Sequence, residues 1–325
     1  MPALNTTRSP IADEFMQAGV IVDPARLVQS RHWAQQLNLA ASSAARSMLL
    51  GAVRSRFRGR GMEFEEVRHY QPGDDIRSID WKVSARTGET FTKLFCEDRE
   101  RPCHIILDQR ASMFFGSATQ FKSVLAAELA VALAWAALKG GDRVGGQILG
   151  QSDELDCRAK RHKSAVLQFL HHSVVLNHAL LERAPETQST QPRELAKGLS
   201  HALTECRRIT RPGTAVYIIS DFNDLDDDFS RVLSTLARHT DVTLVQVYDP
   251  FELSLPVSGD LRVSDGQHHA CIRWAAREQQ RYQKLVSDRE HALHAAAKRA
   301  RARLFAASTA IGARAVLGSV YRGRR

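Results

Sequence analysis

Two aspartates stand where apolar runs stop: Asp108 closes CHIILD, and Asp221 follows TAVYIIS, which spans Thr214 to Ser220. In a parallel α/β sheet the ligand crevice lies beyond the carboxyl ends of the strands, so acidic residues there are the first candidates for chemistry. Carboxylates and hydroxyls gathered from separate strand-end loops can hold Mg²⁺ or Mn²⁺, which take oxygen ligands and keep waters in the remaining positions. The competing use of such an aspartate is structural, as a cap for the next helix or an acceptor for loop amides.

A second constellation lies upstream, where Asp74, Asp75, Arg77, Asp80, Trp81 and Arg86 fall within thirteen residues. Charges alternating at that density suit a paired network around an anchoring Trp81. Asp74 and Asp75 sit on the turn Pro72-Gly73-Asp74-Asp75 with no nucleophile at a known motif spacing, and His69 is the nearby base. Clamping of this segment against the sheet is the favoured reading, and a hydrolase using its carboxylates is the alternative.

The elements that must position these residues follow from pattern. Asp23 and Pro24 make an N-cap and first helical position for a helical stretch ahead of residue 50. Extended pieces joined by turns fit residues 62–95. After Arg101 strands and helices alternate, which predicts a mainly parallel sheet covered on both faces. The strands are CHIILD, DRVGGQIL, TAVYIIS, DVTLVQVY, HHACIRW and ARLFAAS. The helices cover about 120–139, 160–173, 192–210, 226–239, 277–301 and 310–320.

Composition bounds the class. The chain has 325 residues, 43% hydrophobic and 25% charged, as in an ordinary globular protein. Its longest apolar run, Val124–Leu138, is broken by Glu128 and falls short of the ~20 residues a membrane-spanning helix needs, so it reads as a core helix. No secretory signal is visible in the first thirty residues, which makes the cytoplasm the expected compartment. Five cysteines form no CxxC pair and read as reduced thiols, without disulfides or zinc. The sequence carries no phosphate loop, no H-E-x-x-H and no G-x-S-x-G. A net charge of +9 leaves nucleic acid open as a partner, through basic clusters at 54–60, 158–163, 298–303 and 322–325. Apart from Phe57 in the first, these clusters lack the interleaved aromatic residues that stack bases, which disfavours that role.

The run GRGMEFEEVRHYQPGDDIRSIDWKVSARTGETFTKLF, continuing to Gly116, together with IISDFNDL and VQVYDPFELSLP, resembles the domain of unknown function 58 family over roughly residues 25–320. The resemblance implies a Rossmann-like von Willebrand factor A domain after the signature, and an association with MoxR-type AAA+ ATPases in assembling or metallating other complexes. It also implies a metal-ion-dependent adhesion site with a D-x-S-x-S first loop, a second-loop threonine and a third-loop aspartate. Asp108 and Ser112 match the first loop, Arg110 replaces its first serine, Asp221 fills the third, and Thr190 is the candidate for the second. A guanidinium cannot ligate a cation. Either Asp108, Ser112, Asp221 and Thr190 still bind Mg²⁺ with Arg110 turned away, or Arg110 pairs with Asp221 or Asp108 and no ion binds; the planar, permanently charged fork favours the second.

The expected organisation is a flexible tail over 1–23, a signature region over 24–100 packed on the main domain, and a von Willebrand factor A-like domain over 101–325. The expected function is a non-enzymatic adaptor or co-chaperone for a MoxR-type AAA+ ATPase and its client, acting through the degenerate adhesion site without a cofactor.

Overall fold

The computed structural model describes residues 19–39, 62–97, 101–117, 119–151, 153–181, 198–253, 255, 259–264, 269–274 and 276–321. In chain order the elements are α1 (Pro24–Ala34), β1 (Met62–His69), α2 (Trp81–Thr87), β2 (Phe91–Glu97), β3 (Cys103–Asp108), α3 (Lys122–Lys139), β4 (Val144–Leu149) and β5 (Glu154–Lys160). They continue with α4 (Lys163–His178), α5 (Leu199–Ile209), β6 (Ala215–Ser220), α6 (Phe229–Leu236), β7 (Asp241–Tyr248) and the single turn α7 (Pro250–Leu253). The last are β8 (Gly259–Ser264), β9 (His269–Trp274), α8 (Ala276–Ala300), β10 (Arg303–Ser308) and α9 (Ala313–Tyr321).

The chain forms two compact units, one of residues 45–100 and one of residues 1–44 with 101–325. The helix α1 therefore groups with the large sheet, whereas the sequence placed it with the signature region. Its start is as read: the Asp23 side chain accepts from the Ala25 amide at 2.8 Å, and Pro24 opens the helix. Ile21 and Val22, assigned to the tail, are buried in this unit. Residues 1–18 lie outside the described residues.

The large sheet runs β10-β7-β6-β3-β4-β5, parallel except for β5, so the expected mainly parallel α/β architecture is present. Ile105, Leu107, Ile219 and Val245 face α3, while Ile106, Val216, Ile218 and Leu244 face α5, α6 and α8. Buried on both faces, these strands read as continuous apolar runs. The helix α3 carries 16 buried residues out of 18, since it lies between the sheet and α1, and its sequence is accordingly apolar all round. Among the described residues no helix is long and apolar enough to cross a membrane.

Two strands escaped the sequence. β5, ELDCRAK, is an edge strand with one buried residue, so no apolar run marks it; β8 pairs only with β9 in a separate hairpin. In the small unit β1 and β2 pair antiparallel with an irregularity between Phe64 and Glu66.

Close packing is most exacting at Gly146 in β4, where an added Cβ would lie 2.2 Å from the Ile105 carbonyl oxygen and 2.7 Å from the Phe169 ring. Gly312 has open space in the same test. Gly146→Ala is expected to lower the unfolding free energy by about 3 kcal/mol through overpacking, with Gly312→Ala near neutral; urea denaturation of both variants checks this.

Candidate functional site

The parallel strands deliver their ends to one row. β3 ends on Asp108, β6 on Ser220 followed by Asp221, β7 on Tyr248 followed by Asp249, and β10 on Ser308 followed by Thr309. Asp108, Ser220, Asp249 and Thr309 are buried, so each must find its hydrogen bonds within the protein.

Asp108 finds them in Arg110. Its Oδ1 accepts from the Arg110 amide at 3.0 Å and Nε at 2.9 Å, and its Oδ2 accepts from Nη2 at 2.6 Å and from the Ser220 hydroxyl at 2.7 Å. The other edge of the guanidinium donates to Asp224, with Nη2 3.0 Å from Oδ1 and Nη1 bonded to Oδ2. Burial opposes the Arg110 charge, but hydrogen bonds and attraction from Asp108 and Asp224 outweigh it and push the pKa up. Arg110 thus pairs with Asp108, as one of the two sequence alternatives has it, and its second carboxylate is Asp224 rather than Asp221.

Asp221 has its own cation, which the sequence did not single out. Lys122, with no exposed surface, donates to Asp221 Oδ2 at 2.9 Å and to Glu252 Oε1 at 2.6 Å. It stands at the first position of α3, where the positive end of the helix dipole disfavours a cation. Burial opposes its charge as well, yet the two carboxylates hold the pKa above that of an ordinary lysine. Its signal in sequence was a lysine opening an otherwise apolar helix. Asn223 completes Asp221, donating from its side chain at 2.7 Å and its amide at 3.2 Å.

The turn that makes this arrangement is strained. Phe222 is fully buried at φ 53°, a left-handed conformation costly for a bulky side chain. Its ring packs on Phe229 with centroids 6.0 Å apart, and its amide donates to Ser220 Oγ at 3.1 Å. Two residues on, Asp224 meets Arg110.

Asp249 closes the row. It accepts from the Ser117 amide at 2.8 Å, the Thr309 hydroxyl at 2.5 Å, the Phe251 amide at 2.9 Å and the Ser117 hydroxyl. Burial would raise its pKa, but these donors bring it below the ordinary carboxylate value. The loops are also held from behind: Val22 donates to Asn177, Asn177 to Gln109 and Gln109 to the Ser123 carbonyl, at 2.8, 2.9 and 2.8 Å.

This donor set does not fit a divalent cation. Both oxygens of Asp108 and of Asp221 already receive hydrogen bonds, two of the donors being the buried side chains of Arg110 and Lys122, and Ser112 is exposed. Among the described residues no group of three or more His, Cys, Asp or Glu could hold a metal. Thr190 lies outside the described residues.

The signature residues act locally. Asp74 closes its turn by accepting from Arg68 at 2.7 Å and the Gln71 amide at 2.9 Å. Asp75 accepts from the Arg77 amide at 2.9 Å, and Asp80 caps α2 and meets Lys93 at 3.4 Å. Arg77 and Arg86 are exposed, and Trp81 is 68% exposed at the start of α2. Trp81 is therefore no anchor, and the expected network around it is replaced by separate caps, because each short element here uses an aspartate to satisfy its first amides.

The sequence matches the family described as "Protein of unknown function DUF58" over residues 66–295, more than two-thirds of the chain. Uncharacterized proteins of Mycobacterium bovis and Mycobacterium tuberculosis are 31% identical over 209 residues, 64% of this chain, and the match spans 62% of their length. The uncharacterized protein YeaD of Bacillus subtilis is 41% identical over 49 residues, 15% of this chain and 12% of its own. Among solved structures, the conserved hypothetical protein BatB from Bacteroides thetaiotaomicron is similar with a TM-score of 0.43 at 14% identity, covering 68% of this chain and 95% of BatB. The SpRpn10 VWA domain is similar with a TM-score of 0.35 at 9% identity, covering 70% of this chain and all of that domain.

Arg110→Ala strands the buried Asp108 carboxylate and is expected to cost about 3–5 kcal/mol in urea unfolding, while millimolar Mg²⁺ leaves the Tm of the wild type unchanged. Asp249 gives a pH signature. A carboxyl held below its ordinary value contributes stability that is present above that value, 3.8, and is lost as pH falls through the lower folded pKa. The stability difference between wild type and Asp249→Asn is therefore expected to shrink between pH 7 and pH 3, as measured by unfolding curves at each pH.

Proposed function

Since the chain belongs to the DUF58 family, we propose that it is a non-enzymatic protein-binding adaptor or co-chaperone that works with a MoxR-type AAA+ ATPase and its client. The binding face is the carboxyl end of the large sheet. One observation carries the reading: an exposed apolar rim stands beside a charge cluster whose buried members are already satisfied. Phe115, Phe251, Leu253 and Ile311 are 37%, 37%, 43% and 48% exposed, and the Phe115 and Phe251 rings lie 6.5 Å apart. Exposed apolar side chains gathered in this way mark interaction sites.

The chemistry of the cluster supports the same reading. Asp108 and Asp221 have no oxygen left without a hydrogen bond to act as a base, and burial pushes the thiols of Cys157 and Cys206 up to about 12, far from nucleophilic. What the cluster offers a partner is its outermost members. Asp224 and Glu252 have side chains 45% and 27% exposed while their cations are sealed beneath them.

The test is binding of the purified full chain to the MoxR-type ATPase of the same organism by biolayer interferometry. Phe115→Ser with Phe251→Ser is expected to weaken the complex at least about tenfold, the loss of two central aromatic contacts. No complex at micromolar concentration, or equal affinity in the double variant, overturns the reading.

A further inference from the structure

The fold sorts its charges. Loops at the carboxyl end of the large sheet carry Asp153, Asp221, Asp224, Asp226–Asp228, Asp249 and Glu252 against Arg110 and Lys122, a net of −6 on a chain of +9. The opposite end, where the parallel strands begin, is correspondingly basic. Arg143 precedes β4, Lys160 ends the antiparallel β5, Arg207 and Arg211 flank the end of α5, Arg238 follows α6 and Arg301 precedes β10. All six are exposed. The acidic residues at this end are half-buried, and two of them are engaged with arginines: Asp241 with Arg101 at 2.5 Å and Glu205 with Arg208 at 2.8 Å. Two of the basic clusters seen in the sequence, 158–163 and 298–303, stand at this end, on opposite edges of the sheet; those at 54–60 and 322–325 lie outside the described residues.

Helix C-termini gather at this end, and cations there complement their dipoles. That accounts for Arg207 but does not reach Arg143 and Lys160, which stand at strand ends. Arg301 adds an independent sign. It holds φ 52° in the turn after α8, a left-handed position where glycine is the relaxed choice.

We propose that this amino-end face binds the phosphate backbone of double-stranded nucleic acid without reading its sequence. Arginine outnumbers lysine five to one among the six cations named, and its planar fork is the better match to phosphate. The sheet is about 24 Å across from six strands, a length over which a duplex presents about 14 phosphates. Among the described residues Ile209 is the one large apolar side chain exposed here, too little to seat the face in a lipid headgroup layer. Among the described residues no exposed aromatic side chain stands among these cations to stack an unpaired base.

The test is fluorescence anisotropy of the full chain with a labelled 24-base-pair DNA of mixed sequence, beside sedimentation with phosphatidylserine vesicles. Six contacts predict a slope of about −5 in log affinity against log salt, hence about a 10³-fold loss between 50 and 200 mM. Arg207→Ala with Arg211→Ala and Arg238→Ala is expected to reduce the slope by about 3. A second set, Arg143→Ala with Lys160→Ala and Arg301→Ala, repeats the measurement from other elements, with circular dichroism confirming both folds. Asp227→Asn at the other end leaves the slope unchanged. No duplex binding at 50 mM salt, a slope indifferent to both folded triple variants, or retention by vesicles but not by duplex overturns the proposal.

Discussion

A cation sealed at the end of a sheet has to be neutralised within the protein, and this structure does so twice. Arg110 and Lys122 are both buried, and the loops are arranged around what each requires. Arg110 spans Asp108 and Asp224, which ties the loop after β3 to the loop after β6. Lys122 spans Asp221 and Glu252, which ties the start of α3 to the turns after β6 and β7. Removing one partner from such a pair leaves an uncompensated buried charge, so the three loops depend on one another. The left-handed Phe222 is part of this constraint: a backbone that turns there is what carries Asn223 to Asp221 and Asp224 to Arg110. Strain of this kind persists where the surroundings over-determine it, here through the burial of the Phe222 ring against Phe229.

How much of this was legible in the sequence depends on whether a residue's role is set by its neighbours in the chain. Strands such as CHIILD and AVYIIS are buried on both faces and announce themselves as apolar runs. Asp23, followed by proline, is a local capping signal, and its side chain caps α1. Arg110 stands where the pattern implied by the family resemblance has a serine, so its conflict with a metal was legible from that resemblance. Lys122, Asp224, Asp249 and Glu252 were not, because their partners lie about 100 residues away or nearer only through the fold, as Asp249 does to Ser117 and Thr309. Trp81 misled for the opposite reason: a large aromatic among charges suggests an anchor, yet it opens a seven-residue helix whose N-cap, Asp80, needs nothing from the ring.

The charge asymmetry of the molecule follows from the same topology. In the parallel part of the sheet all strand ends point one way and the connecting helices return the other way, so helix N-termini meet at one end and C-termini at the other, with α4, which follows the antiparallel β5, as the exception. Aspartates are favoured beside the first and arginines beside the second. This pairing explains the sign at each end but not its size. Asp226 accepts from the Phe229 amide at 2.7 Å and Asp228 pairs with Arg231, whereas the basic end carries cations on strand ends that serve no helix.

The two ends therefore differ in what they can exchange with a partner. At the carboxyl end the deeper carboxylates are locked, since Asp108 accepts four hydrogen bonds and the loop residue beside it, Gln109, is held through Asn177 to the backbone of Val22. What this end exposes is the outer acceptors, Asp224 and Glu252, and the apolar rim. At the amino end the cations project from turns and strand ends without such a lattice, and their attraction depends on number and salt rather than on fit.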